Sequence, residues 1–94
     1  MNHDVFPIPS SGTVKIIPRS ADTFDIECSG IDTADKDRLM GFFMKMRGRL
    51  GSFRFEHYGT SYCECRFDSD TGPATGGSGP HNLTFPIKVL RAQG

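Results

Sequence analysis

Residues 39–55, LMGFFMKMRGRLGSFRF, change hydrophobic period partway along. Up to Met46 the apolar residues Leu39, Phe42, Phe43 and Met46 recur at helical spacing; beyond Gly51, Phe53 and Phe55 alternate with Arg54 as in a strand with one buried face. Gly48 and Gly51 flank Arg49 and Leu50 and supply two positions that tolerate positive φ, which lets the helix reverse into the strand. The stretch carries four of the eight Phe residues, three of the four Met, and four cations with no acid. The fold has to bury its aromatic side, and any function has to account for its positive side.

Upstream, Asp32 or Thr33 is placed to accept from the exposed amides of a first helical turn. Asp35 and Asp37 sit where the helix dipole favours acids, and Lys45 and Arg47 where it favours bases. A helix from Thr33 to Met46 is predicted. Met40 and Met44 widen its apolar stripe beyond what one sheet face needs, either as a partner surface or as filler in a thick core. Gly41 in its middle costs roughly 1 kcal/mol relative to Ala and allows close backbone approach.

Downstream, Ser52 to His57 reads as a strand, Tyr58-Gly59-Thr60 as a turn, and Ser61 to Asp68 as the next strand. In the latter, Cys63, Cys65 and Phe67 are expected on one face and Tyr62, Glu64 and Arg66 on the other. Residues 69–82, SDTGPATGGSGPHN, lack any large apolar side chain and are predicted to form a long flexible loop. A last strand from Leu83 to Leu90 points Leu83, Phe85, Ile87 and Val89 one way; Pro86, without an amide hydrogen, argues for an edge position or a bulge.

Ahead of the helix, Thr13 to Ile17 forms a strand stopped by Pro18, and Phe24, Ile26 and Cys28 alternate with Asp25 and Glu27 in a second, ended by Ser29-Gly30. The two make an antiparallel hairpin with one wet face. Residues 1–12, with Pro7 and Pro9, form an extended arm that Val5, Phe6 and Ile8 pin to this body or to a neighbour's. The predicted organisation is that arm followed by a single α+β domain over 13–94.

A chain of 94 residues buries only roughly 60–65% of its unfolded surface, so the core is thin and burial against a partner adds stability. Cations and anions balance at 11 each, which removes global attraction to nucleic acid. Their distribution is uneven: residues 1–37 carry a net of minus four, residues 38–54 plus five, and the remainder minus one. Such asymmetry steers complementary surfaces together, including copies stacked head to tail. Three Cys residues and no long apolar run point to folding in a reducing cytosol, without a signal peptide or a membrane span.

Chemistry is sparse. Cys63 and Cys65, with His57 one hairpin away, are the nearest approach to a metal site, but structural zinc sites typically space paired Cys by about two to four residues and use four ligands. Their alternation with polar residues fits a core role, so neither a metal nor another cofactor is called for. His3, His57 and His81 form no order suited to nucleophilic catalysis, and Gly76-Gly77-Ser78-Gly79 lacks the Lys-Ser/Thr and helix of a phosphate loop. No catalytic residue is assigned. Arg38, Lys45 and Arg49 at helical spacing, with Arg54, Arg66, Tyr58 and Tyr62, offer a patch for nucleic acid, which the balanced charge disfavours.

A helix ending in bulky apolar residues, a Gly-bearing turn, the strand Phe53-Arg54-Phe55, and a strand holding Cys65 and Arg66 resemble small minor tail proteins of long-tailed bacteriophages, found at the tail tip. The chain is also similar to a related group of phage tail proteins in which an aromatic-rich helix leads through R-x-G, here Arg49-Leu50-Gly51, into an F-x-F strand. The resemblance covers Leu39 to Phe67 and Leu83 to Leu90, although this chain has Phe where minor tail proteins often carry Trp. It implies a mainly antiparallel β-sandwich or split barrel flanked by one helix. It further implies a virion component that is built in the host cytoplasm and joins tube to tip or baseplate as a ring of its own copies, in contact with neighbouring tail proteins. The expected interface sets Arg38, Lys45, Arg47, Arg49 and Arg54 of one copy against Asp25, Glu27 and Asp35 of the next. A nucleic-acid-binding or regulatory module on the same basic patch is the alternative, and a zinc-bound module a third.

Overall fold

The computed structural model describes residues 4–57, 59–69, 72 and 80–91, with residue 60 described by its backbone. Six strands, β1 (Asp4–Val5), β2 (Thr13–Pro18), β3 (Thr23–Ile31), β4 (Phe53–His57), β5 (Thr60–Phe67) and β6 (His81–Arg91), and one helix, α1 (Thr33–Met46), follow in chain order β1-β2-β3-α1-β4-β5-β6. The strands form one sheet in the order β1-β4-β5-β6-β3-β2, antiparallel except for the parallel β1–β4 pair. The α+β class with one helix against a mainly antiparallel sheet is as the sequence predicts. The sheet is open, however: β1 and β2 are its two edges and do not pair with each other, so the described strands close neither a barrel nor a second layer.

Helix α1 has the predicted bounds because its signals agree. Asp32 is the N-cap, its Oδ1 accepting from Asp35 N at 2.8 Å, and Arg47 follows the last turn in the left-handed region at φ 56. Here the prediction needs correcting. The reversal uses Arg47 and Gly48, both at positive φ, whereas Gly51 serves by its lack of a side chain: a Cβ there would lie 2.9 Å from Met46 O. Leu39, Phe43 and Met46 face the sheet and are buried.

The inner sheet face is lined by Phe24, Ile26 and Cys28 of β3, Phe53 and Phe55 of β4, Cys65 and Phe67 of β5, and Leu83, Phe85 and Ile87 of β6, all buried. At its centre stands Phe6, 2% exposed, with ring centroids 5.8–6.3 Å from those of Phe42, Phe53, Phe55, Phe67 and Phe85. A side chain from the predicted arm is thus the hub of the aromatic core. Residues 6–12 run from one sheet edge to the other, and the body to which the arm is pinned is its own. Each buried Phe is worth about 1.5–3 kcal/mol of transfer free energy.

Three local readings change. Strand β3 continues past Ser29-Gly30 to Ile31 through a register shift that brings Ile31 opposite His81, with Gly30 N donating to Asn82 Oδ1 at 3.0 Å. Strand β6 accordingly begins at His81, within the stretch predicted as loop; most of the remaining loop, and Tyr58 of the predicted turn, lie outside the described residues.

Along β5, Phe53 opposes Cys65 but Phe55 opposes Tyr62, a one-residue shift that turns Tyr62 onto the core side, 5.4 Å from the ring of Phe24. Residues on either side of the irregularity no longer obey simple alternation, so Cys63 is only half-buried and does not share the setting of Cys65.

The third change is that β6 is central, between β5 and β3, not an edge. Pro86 is tolerated because its carbonyl, and therefore its missing N–H, faces the β5 side at Asp68, just beyond the end of β5; the carbonyl accepts from Asp68 N at 2.8 Å, and the Asp68 carbonyl, left without the proline N–H, accepts from Arg49 Nη2 at 3.3 Å.

Candidate interaction surfaces

The strongest polar constellation ties the arm to the helix. Asp35, 5% exposed, receives Ser10 N at 3.1 Å, Ser11 N at 2.9 Å and Ser11 Oγ at 2.5 Å on Oδ2, while its Oδ1 takes Arg38 Nη2 at 2.9 Å. Ser11 Oγ in turn accepts from Asp32 N at 2.9 Å, and Arg38 Nη2 also donates to Ile8 O at 3.1 Å. The Ser11 hydroxyl, the Ser10 and Ser11 amides and Arg38 hold the Asp35 carboxyl below the ordinary carboxylate range. Two successive backbone amides converging on one oxygen make an anion cradle, filled here by the chain's own carboxylate.

Asp35 and Arg38, placed by the sequence on opposite sides of an intermolecular contact, are therefore partners within one chain. The other expected interface residues separate into two places. Lys45, Arg47 and Arg49 gather at the C-terminal end of α1 and its turn, where Lys45 Nζ reaches Asp4 Oδ1 at 2.9 Å and Arg49 Nη2 donates to Asp68 O at 3.3 Å. Arg54 lies between buried Phe53 and Phe55 and points to the outer sheet face, paired with Glu56 at 2.7 Å. Asp25 and Glu27 occupy that same outer face, Asp25 bound by Arg19 at 2.6 Å. Arg54 thus belongs with the acids it was expected to oppose across an interface, because strand alternation carries it away from the helix.

Beside the helix-end cations, Met44 and Leu50 are 72% and 79% exposed. They are joined through Arg47, whose N–H donates to Met44 O at 3.1 Å and whose carbonyl accepts from Leu50 N at 3.3 Å. Met44, Arg47 and Leu50 are all exposed and follow one another at three-residue intervals through this turn, so the end of α1 presents an apolar-basic knob. The width of the Met stripe signalled Met44 in the sequence; Leu50, between two glycines, carried no periodic signal.

The thiols do not make a site. Burial and then the charge of Asp35 push Cys28 up to about 11, and burial, then Cys63 and Glu64, push Cys65 up to about 12. No group of three or more His, Cys, Asp or Glu suited to a metal ion occurs among the described residues. Tyr62, one of the two tyrosines offered for base stacking, is turned inward against Phe24, and Tyr58 and His3 lie outside the described residues. His81, 5% exposed, shares a hydrogen bond with Thr33 at 3.1 Å and anchors the start of α1. Among the described residues no helix is long and apolar enough to cross a membrane. No family model, curated protein or solved structure matches the chain.

Proposed function

We propose that this chain is a non-enzymatic structural subunit of a phage tail, at the tail tip, baseplate hub or tail connector, and that it forms a ring with copies of itself. The sequence resemblance over Leu39 to Phe67 and Leu83 to Leu90 suggests the setting. The observation that carries the assembly role is the knob at the end of α1: Met44 and Leu50 stand exposed on either side of Arg47, beside Lys45 and Arg49. Burying two such apolar side chains yields about 1.5–3 kcal/mol each, and the cations direct them to an acidic surface.

The candidate surface on the next copy is the outer sheet face, where Glu27 lies directly opposite Lys15 of the paired strand and makes no hydrogen bond or ion pair among the described residues. In this reading the open edges at β1 and β2 are where a split barrel or sandwich is completed by a neighbouring copy. Virion localisation and contact with other tail proteins follow from the same reading. Binding to nucleic acid is the weaker alternative, because Arg38, Lys45 and Arg54 already pair with carboxylates of their own chain.

Light scattering and electron microscopy of the purified protein over a range of concentrations test the proposal. A ring is expected from the wild type, and folded monomer from the double variant Arg47→Glu, Leu50→Asp, since both positions are exposed. A wild-type chain that stays monomeric at high concentration, or rings that persist in the variant, would overturn it.

A further inference from the structure

The outer sheet face contains a second feature that the assembly reading does not use. Arg66 of β5 and Lys88 of β6 are direct cross-strand partners, with Thr23 of β3 continuing the row beyond Lys88. Both side chains leave the sheet on the outer face, since Cys65, Phe67 and Ile87 beside them are buried on the inner one. Like charges directly opposite on neighbouring strands repel, and no ladder requirement puts them there.

The Arg66 side chain makes no hydrogen bond among the described residues. Its Nε is buried and without a partner, and a buried donor left unpaired forfeits its hydration for nothing in return. The acids nearby do not supply the missing acceptor. Asp22 Oδ2 is in a loose ion pair with Lys88 Nζ at 3.8 Å, beyond hydrogen-bond distance, and Glu64 Oε1 in another with Arg91 Nη2 at 3.8 Å. Asp68, two residues along, makes no side-chain hydrogen bond among the described residues and is tied to β6 by its backbone N–H to Pro86 O.

We infer that Arg66 and Lys88 form an oxyanion-binding site, taking a carboxylate or phosphate group between the guanidinium fork and the ammonium. Such a group turns the repelling pair into a charge-assisted clamp: the terminal nitrogens of the Arg66 guanidinium donate to its oxygens, and Lys88, only loosely paired with Asp22 at 3.8 Å, adds a point charge from the adjacent strand. The inference concerns the subunit alone and stands whether or not the protein forms a ring.

The test titrates inorganic phosphate and, separately, acetate into the full-length protein, with sodium chloride at matched ionic strength as the reference. Two readouts are followed, the melting temperature and the side-chain Nε–H resonance of Arg66. Phosphate at ten times its Kd is expected to raise Tm by roughly 6 °C and to shift that resonance. A response to acetate as well assigns the site to carboxylates, such as an acidic side chain of another protein; a response to phosphate alone assigns it to phosphate. Lys88→Gln and Arg66→Gln should each abolish the response, and Arg66→Lys should weaken it. Lys88→Gln keeps a polar residue at a half-buried position outside the core, so it remains informative if the Arg66 variants fail to fold. The inference is overturned if neither anion moves Tm or the Arg66 resonance beyond chloride, or if the Lys88→Gln protein responds as the wild type does.

Discussion

Ser11 and Asp35 are 24 residues apart in the chain, yet the hydroxyl of one sits 2.5 Å from the carboxylate of the other and closes the arm onto the first turn of the helix. The same serine amide, that of Ser10, and Arg38 complete the hold on Asp35. One carboxylate thus fixes three segments, the arm, α1 and, through Asp32 N on Ser11 Oγ, the end of β3. Removing either partner should lower the denaturation midpoint, Asp35→Ala more than Ser11→Ala. The double variant should fall short of the sum of the two single losses, because with Asp35 gone Ser11 has only the Asp32 N–H bond to its Oγ left to lose. Urea unfolding of the three proteins measures this; additive losses would show that the two residues act separately.

The pH dependence follows from the same contact. Because the folded-state pKa of Asp35 is lowered, its contribution is fully present above the unfolded carboxylate value of about 3.9 and is lost as pH falls through the lower folded-state value. Asp35→Asn should flatten the acid limb of the stability profile while leaving the neutral region with a constant deficit. An unchanged acid limb would assign that limb to other carboxylates.

Phe6→Ala tests whether the arm belongs to the core. A fully buried Phe at the meeting point of five rings should cost about 3–5 kcal/mol, a large share of the roughly 5–15 kcal/mol available to a domain. Deleting residues 1–9 should be at least as damaging. Val5→Ala, at a position 48% exposed, should change little, and circular dichroism with urea titration separates the three.

Two glycines should respond to Ala in opposite directions. At Gly12, φ is +68° and a Cβ would collide with Ser29 O, so Gly12→Ala must displace the arm or the β3 bulge and destabilise the fold. At Gly41, in mid-helix with nothing within 4 Å of a Cβ, Gly41→Ala should stabilise by about 1 kcal/mol. Thermal melts read both signs directly. A neutral Gly41→Ala would mean that the helix face around it is already committed to a contact in the assembled state.

The thiols offer an alkaline counterpart. Cys28 and Cys65, raised to about 11 and about 12, favour the protonated form in the folded protein; their contribution is intact below the unfolded value of about 8.5 and is lost as pH rises from there through the folded-state values. Iodoacetamide at neutral pH should modify half-buried Cys63 first and reach the other two only on unfolding. Mass spectrometry of the native and urea-unfolded protein gives the order.

What the sequence by itself determined was local and periodic. The helix from Thr33 to Met46 was legible because capping, dipole and a 3.6-residue stripe agree, and the inner faces of β3 and β4 were legible because Phe24-Ile26-Cys28 and Phe53-Phe55 keep a period of two. Only the tertiary structure decided what depends on pairing across the chain. It put β6 in the centre despite Pro86, because the missing amide falls beyond the end of β5. It also turned Tyr62 inward through a one-residue shift that changes no composition. The stretch from Leu39 to Phe55 was readable as a helix that folds back into a strand. Its charges were not, since Arg54 leaves on the far face of the sheet while Lys45, Arg47 and Arg49 stay at the helix end. The arm shows the reason most plainly: neither Phe6 at the hub of the core nor Ser11 on Asp35 repeats at any sequence interval, and contacts set by the closing of the chain leave no period to read.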